Sequence, residues 1–142
     1  MPRGDAPGQA LRAVPLFSSL SDKELRKVAD LAREERFRAG EEIVTEGHSS
    51  GPFFLLTAGD AVVLVRGDEI RKLGPGDFFG EMALIDRQPR SATVRALGDV
   101  TALSISSWDF LTVLERNWPL AYGLMVELSR RVRERDAENP CL

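Results

Sequence analysis

The spacing of hydrophobic positions changes period along this chain, and the changes mark out its elements. In SDKELRKVADLARE (21–34), Leu25, Val28, Ala29, Leu31 and Ala32 recur every three to four residues, which predicts a helix with one apolar stripe. Ser21 with Glu24 three residues on reads as its capping box. Ahead of it, Leu11–Phe17 reads as a short helical or turn segment. Residues 1–9, with two prolines, two glycines and few apolar groups, are expected to form a mobile tail. From Phe37 the period falls to two. Strand candidates EEIVTE, PFFLLTAG, DAVVLVRG, EIRKLG, SATVRAL and VTALSIS follow, separated by turn signals, with Arg66-Gly67-Asp68-Glu69 as a hairpin connection. Short strands at such spacing predict an antiparallel roll or jelly-roll-like barrel. After the last strand the helical period returns over Trp108–Asn117 and is interrupted at Trp118-Pro119. A second helix then carries Leu120, Ala121, Leu124, Met125, Leu128 and Val132 on one face. The expected fold class is therefore α+β: an antiparallel β-roll between N-terminal helices and two C-terminal helices. One domain spans residues 10–136, and 137–142 form a second mobile tail.

Composition narrows this little further. At 142 residues, 43% hydrophobic and 29% charged, the chain suits one globular domain with a real core. No run approaches the ~18 apolar residues that span a bilayer, and MPRGDAPGQA lacks the apolar stretch of a secretory signal, so a cytoplasmic location is expected. The one cysteine, Cys141, is penultimate and has no intrachain partner. A net charge of −3 gives no general attraction to nucleic acid.

The chemistry concentrates in GPGDFFGEMALIDRQPRSATV (Gly74–Val94). A glycine-rich turn, one carboxylate (Glu81), an apolar helical turn and one arginine (Arg90) follow in close succession, with Pro89 stiffening the approach to the arginine. A carboxylate accepts hydrogen bonds from sugar hydroxyls, and a guanidinium holds phosphate oxygens through a two-pronged fork. Gly80 lets a ligand approach the backbone, and the start of a short helix offers N–H groups to an anion. The set suits a ligand with a free ribose hydroxyl beside a singly charged phosphate. A cyclic nucleotide, its phosphate folded back onto the sugar, meets that description. Two residues alone would read as a surface ion pair worth about 0–1 kcal/mol.

FGEMAL followed by PRSATV resembles the phosphate-binding cassette of cyclic-nucleotide-binding domains, as in bacterial cyclic-AMP receptor proteins, gated channels and kinase regulatory subunits. Phe79, Gly80, Glu81, Ala83, Leu84, Arg90, Ser91 and Ala92 fall at the family's spacing. LRAVPLFSSLSDKELRKVA is similar to its first helices, FRAGEEIVTEG to its first strands, and the C-terminal helix stands where its lid lies. The resemblance implies cyclic AMP, or else cyclic GMP, as regulatory ligand. It has Arg90 fork onto the exocyclic phosphate oxygens and Glu81 accept from the ribose 2′-hydroxyl. Backbone N–H groups of Gly80, Ala83, Ser91 and Ala92 serve the remaining contacts, with Phe79 and Met82 completing the cassette. A serine at position 91 occurs in receptors for either base, and cyclic AMP is favoured. Along DAVVLVRG, Val63 and Val65 alternate with Val62 and Leu64, and the pattern does not phase them; Val65 with Leu73 is taken as the purine contact. In the charge run Ser129–Asp136, most arginines read as a solvated face, and Arg131 with Val132 are put forward as residues that cap the base when the helix closes.

Other readings are weaker. His48, in the turn EGHSSG, is the only histidine, so a several-imidazole metal site of the small-barrel enzymes fails and no metal is expected. Gly51-Pro52 stands where the family often has an acidic residue. Trp108 and Trp118 read as packing residues at helix ends. No nucleophile–base motif is present, and no enzyme is expected. The expected role is a signal-transducing receptor module acting on an unidentified protein effector, without a membrane span, as a monomer or weak homodimer. Direct DNA binding is not expected, because no helix-turn-helix follows the last helix. The alternatives are a regulatory subunit or fragment of a channel, enzyme or transcription factor, or an interaction module with an unused pocket.

Overall fold

The computed structural model describes residues 11, 12, 14, 17, 18, 20–48, 51–80 and 90–138. At the start, Leu11, Val14, Phe17 and Leu20 lie three apart, and each is joined to the next by an N–H···O=C bond of 3.0–3.1 Å. Turns of three residues bring i and i+3 to one side, so all four side chains are buried in one apolar cluster.

Helix α1 (Asp22–Leu31) begins as its capping box requires: the Ser21 hydroxyl accepts from the Glu24 N–H (3.2 Å), and the Glu24 carboxylate accepts from the Ser21 N–H (3.0 Å). Those bonds hold the Glu24 carboxyl below its ordinary pKa, with the Ser21 backbone donor as the main cause. The helix is shorter than the periodicity predicts. It stops at Leu31, Ala32 is extended, and Arg33–Phe37 form strand β1. This corrects the expected helix over 21–34. REERF has no apolar alternation to announce a strand, because β1 is the edge of its sheet, where charge discourages further pairing.

Seven more strands follow: β2 (Glu42–Val44), β3 (Phe53–Ala58), β4 (Ala61–Val65), β5 (Asp68–Leu73), β6 (Phe78–Phe79), β7 (Thr93–Ala96) and β8 (Val100–Ile105). They build two four-stranded antiparallel sheets, ordered β1-β8-β3-β6 and β2-β7-β4-β5. Within β4–β5 the turn is Arg66 (φ 52°) and Gly67 (φ 83°). Two consecutive positive φ values match the right-handed twist of the strands it joins.

The apolar run FFLL in β3 is explained by burial on both sides. Phe53 and Leu55 point into a cluster shared with the helices, while Phe54 and Leu56 point into the roll. Strand β6 repeats this: Phe78 belongs to the helical cluster and Phe79 to the roll.

Helix α2 (Ser107–Arg116) is capped by the Ser106 hydroxyl, which accepts from the Asp109 N–H (3.2 Å). Its Phe110 stacks on Phe53 with ring centroids 4.2 Å apart. Asn117 (φ −132°, ψ 84°) breaks the path, and helix α3 (Trp118–Glu138) begins with Pro119 in its first turn, where proline's missing N–H costs nothing. α3 extends two residues past the expected domain end. Only part of its predicted apolar face is inward: Leu120 and Leu124 are buried and Leu128 packs on the helical cluster, but Met125 and Val132 are exposed. Trp108 and Trp118 are exposed as well (78% and 66%), contrary to a packing role. With three helices and eight strands among the described residues, the architecture is the α+β roll expected.

Candidate functional site

Arg90 is the only charged side chain buried among the described residues, at 5% exposure. Its main chain is clamped by the turn after β2: the Arg90 N–H donates to His48 O (2.7 Å), and Arg90 O accepts from the Gly47 N–H (2.9 Å). That turn is tied in its own right. The Glu46 N–H donates to Thr93 Oγ1 (2.9 Å), and the Glu46 carboxylate accepts from the Arg66 N–H (2.9 Å) at the β4–β5 turn. Three separate segments thus fix where the arginine leaves the backbone.

The guanidinium is positioned as firmly. Its Nη2 donates to Pro52 O (2.7 Å) just before β3. Gly51 and Gly80 close around it. A Cβ at Gly51 meets Arg90 Nη2, and a Cβ at Gly80 lies 2.5 Å from Nη1 and 2.9 Å from Pro52 O. Both glycines have positive φ (149° and 97°), so bareness and backbone shape are demanded together. A guanidinium carries five donors in a planar fork, so one can anchor it on a carbonyl while others serve an oxyanion.

Placement of the other predicted residues varies. Glu81, Met82, Ala83 and Leu84 lie outside the described residues. Ser91 is exposed and Ala92 half-buried, directly after Arg90. Phe79 turns its ring into the roll and stacks on Phe54 (centroids 5.3 Å apart), so its main chain, not its ring, leads to Gly80. Val65 and Leu73 are separated: Leu73 pairs with Ala61 and Val65 with Asp68, at opposite ends of the hairpin, about 13 Å apart at ~3.3 Å per residue. Val63, on the face of Ala61, packs against the roll's core.

On α3, Arg131 lies over Phe78, with the guanidinium carbon 4.6 Å from the ring centroid, Nη2 3.5 Å from Phe78 O and Nε 3.5 Å from Glu127 Oε1. It therefore sits on the face of β6 opposite Phe79. Glu127 also accepts from Arg130 (Nε to Oε2, 3.2 Å). Arg130 is the main cause holding the Glu127 carboxyl below its ordinary pKa, against partial burial that raises it. Val132 is 59% exposed. Among the described residues, no group of three or more His, Cys, Asp or Glu gathers as a metal site, and no helix is long and apolar enough to cross a membrane.

Sequence reasoning missed Gly51 and Pro52 as parts of the site. The Gly-Pro pair was visible, but that Pro52 O would receive Arg90 depends on a contact 38 residues away.

The family described as "Cyclic nucleotide-binding domain" matches residues 34–117. The cAMP-dependent protein kinase regulatory subunit of Emericella nidulans is 40% identical over 106 residues, which is 73% of this chain and 26% of that one. The chain thus spans about a quarter of the length of that curated relative. Among solved structures, the regulatory domain of Toxoplasma gondii PKA with cAMP superposes with TM-score 0.80 at 29% identity, covering 93% of this chain and 50% of that one. The Thermus thermophilus catabolite activator protein gives TM-score 0.81 at 30% identity, covering 89% and 62%.

Proposed function

Because the chain belongs to the cyclic nucleotide-binding domain family, we propose that it is a receptor module for a cyclic nucleotide, cyclic AMP in preference to cyclic GMP. The observation that carries the reading is the buried, triply anchored Arg90 between two bare glycines. A guanidinium held this firmly presents its planar fork of donors in one fixed direction, which suits an oxyanion. A phosphodiester supplies one negative charge and two oxygens to a fork. The T. gondii relative, solved with cAMP, supports the same ligand class. In this reading Glu81 accepts from the ribose 2′-hydroxyl, and backbone N–H groups of Gly80, Ala83, Ser91 and Ala92 complete the sugar and phosphate contacts.

The signal leaves through α3. Capping of the base by Arg131 or Val132 requires α3 to leave its seat on Phe78, so ligand binding and helix position are linked, and the ligand shifts the equilibrium only by its differential affinity for the two positions. The module works without catalysis, in the cytoplasm, through a protein effector rather than by reading DNA, with residues 10–136 as the working domain. Calorimetric titration with cyclic AMP, cyclic GMP and 5′-AMP tests this. We expect saturable binding of a cyclic form, no comparable binding of 5′-AMP, and a loss of about 2–5 kcal/mol in Arg90→Ala. A folded protein that binds neither cyclic form, or an Arg90→Ala variant of unchanged affinity, refutes it.

A further inference from the structure

Two of the three buried polar side chains among the described residues, Arg90 and Thr93, lie three positions apart. Between them Ser91 and Ala92 form a bend, so the rigidity of β7, which starts at Thr93, does not reach Arg90 along the chain. It reaches Arg90 across space, through the turn after β2. The His48 N–H closes that turn on Thr45 O (3.2 Å), and Gly47 and His48 exchange main-chain bonds with Arg90. Any residue can make those bonds. The Glu46 N–H is different, because its acceptor is a side chain, the Thr93 hydroxyl (2.9 Å). The β2–β7 ladder slips register between Glu42 and Val44 and has its last rung at Val44–Val94, so a donor beyond it must find another oxygen.

We propose that Thr93 is a positioning residue of the Arg90 site: its hydroxyl anchors the turn that sets the Arg90 main chain, and with it the direction of the guanidinium. Strand β7 is a firm base for this, since it is paired on both sides, with β2 and with β4, where Thr93 stands opposite Leu64. The turn has a second tie, from the Arg66 N–H to the Glu46 carboxylate, but that bond is exposed and water can stand in for either partner. The bond to Thr93 is partly buried, and an orphaned N–H there is costly. Loss of the hydroxyl is therefore relieved by moving the turn, which carries Gly47 and His48, and Arg90 moves with them. The consequence for affinity rests on the reading of Arg90 as the phosphate-holding group. The placement of Arg90 does not.

Thr93→Val, Thr93→Ser and, as a matched control, Thr57→Val test this on the whole chain. Valine keeps the branched shape and strand preference of threonine without the hydroxyl, and serine keeps the hydroxyl. Thr57 also bonds a main-chain group, donating to Thr101 O (3.1 Å), but within the other sheet. Calorimetry reads cyclic-AMP affinity. Hydrogen exchange of the Arg90 amide, measured against the amides of Val28 and Ala29 in α1, needs no nucleotide. In Thr93→Val the Arg90 amide should exchange about tenfold faster, and cyclic AMP should bind about tenfold more weakly. In Thr93→Ser and Thr57→Val both quantities should stay within about threefold of the natural chain. An Arg90 amide as well protected in Thr93→Val as in the natural chain overturns the proposal, whether or not a nucleotide binds. So does a Thr93→Ser variant as impaired as Thr93→Val, which makes shape and not the hydroxyl responsible. If the amide loosens as expected but the natural chain binds no cyclic nucleotide, Thr93 still positions Arg90 and the nucleotide reading is what fails.

Discussion

Gly80→Ala offers a sharp test of the site because Gly76 is a matched control. The two glycines have nearly the same positive φ, 97° and 95°. An L-residue in that region costs about 1–2 kcal/mol wherever it stands, so both alanine variants carry this backbone cost, and Gly80→Ala adds that of displacing Arg90. They differ in what the new methyl group meets. At Gly76 nothing lies within 4 Å, whereas at Gly80 the Cβ lies 2.5 Å from Arg90 Nη1 and 2.9 Å from Pro52 O. Ordinary contact begins near 3.4 Å, so the guanidinium must retreat by about 1 Å. It is the softer neighbour, since Pro52 O is main chain next to a strand that pairs on both sides. The damage therefore falls on the group proposed to hold the phosphate. A shift of ~1 Å takes a hydrogen bond of ~2.8 Å out of range, and a bond to a charged group is worth about 1.5–3 kcal/mol. Gly80→Ala should weaken cyclic-nucleotide binding about 10- to 100-fold, while Gly76→Ala stays within about threefold of the natural protein. Calorimetric titration reads the affinities and urea unfolding the stabilities. Equal affinities in the two variants, both folded, would falsify the assignment of Arg90 as the anion-holding group.

Two further predictions concern the frame around the site. Phe110→Ala removes a fully buried ring stacked on Phe53; it should cost about 3–5 kcal/mol in urea unfolding, and a loss below about 1 kcal/mol contradicts the packing described. Because the folded Glu127 carboxyl titrates below its ordinary value, its contribution to stability is present above that value, 4.5, and is lost as pH falls through the folded one. The melting temperature of the natural chain should thus exceed that of Glu127→Gln near neutrality and converge with it below pH 4.5, and a gap that persists in acid rules out the ionised carboxylate as its source.

Two of the strands read in advance owe it to having an inside. In β4 and β8, apolar residues have buried neighbours and turn signals bound the run. REERF and the two-residue β6 were illegible for opposite reasons. The first is stabilised by pairing with β8 while its side chains stay in solvent, and the second is too short to display a period. The α3 stripe was visible yet merged, since a 3.6-residue period cannot tell one broad buried face from a buried face with exposed apolar residues beside it. What separates Leu124 from Met125 is the presence of the helical cluster on one side only.

The site divides along the same line. Its cassette is local, so residue type and spacing exposed Gly80 and Arg90 together. The geometry that makes Arg90 useful is not local, since it depends on His48, Pro52 and, through Glu46, on Arg66. At two of these contacts the main chain accepts from Arg90, and at the third a main-chain N–H donates to Glu46. A side chain at such a place is nearly irrelevant to the bond it makes, so no residue identity betrays it. Gly51 is the exception, because a bare α-carbon is a demand on identity, and the reason lies in the guanidinium packed against it. A pocket built this way holds its cation by backbone and tolerates variation around it. Substitutions at His48 or Glu46 should therefore act on the site only through the turn they shape, whereas any side chain added at Gly51 or Gly80 acts on Arg90 directly.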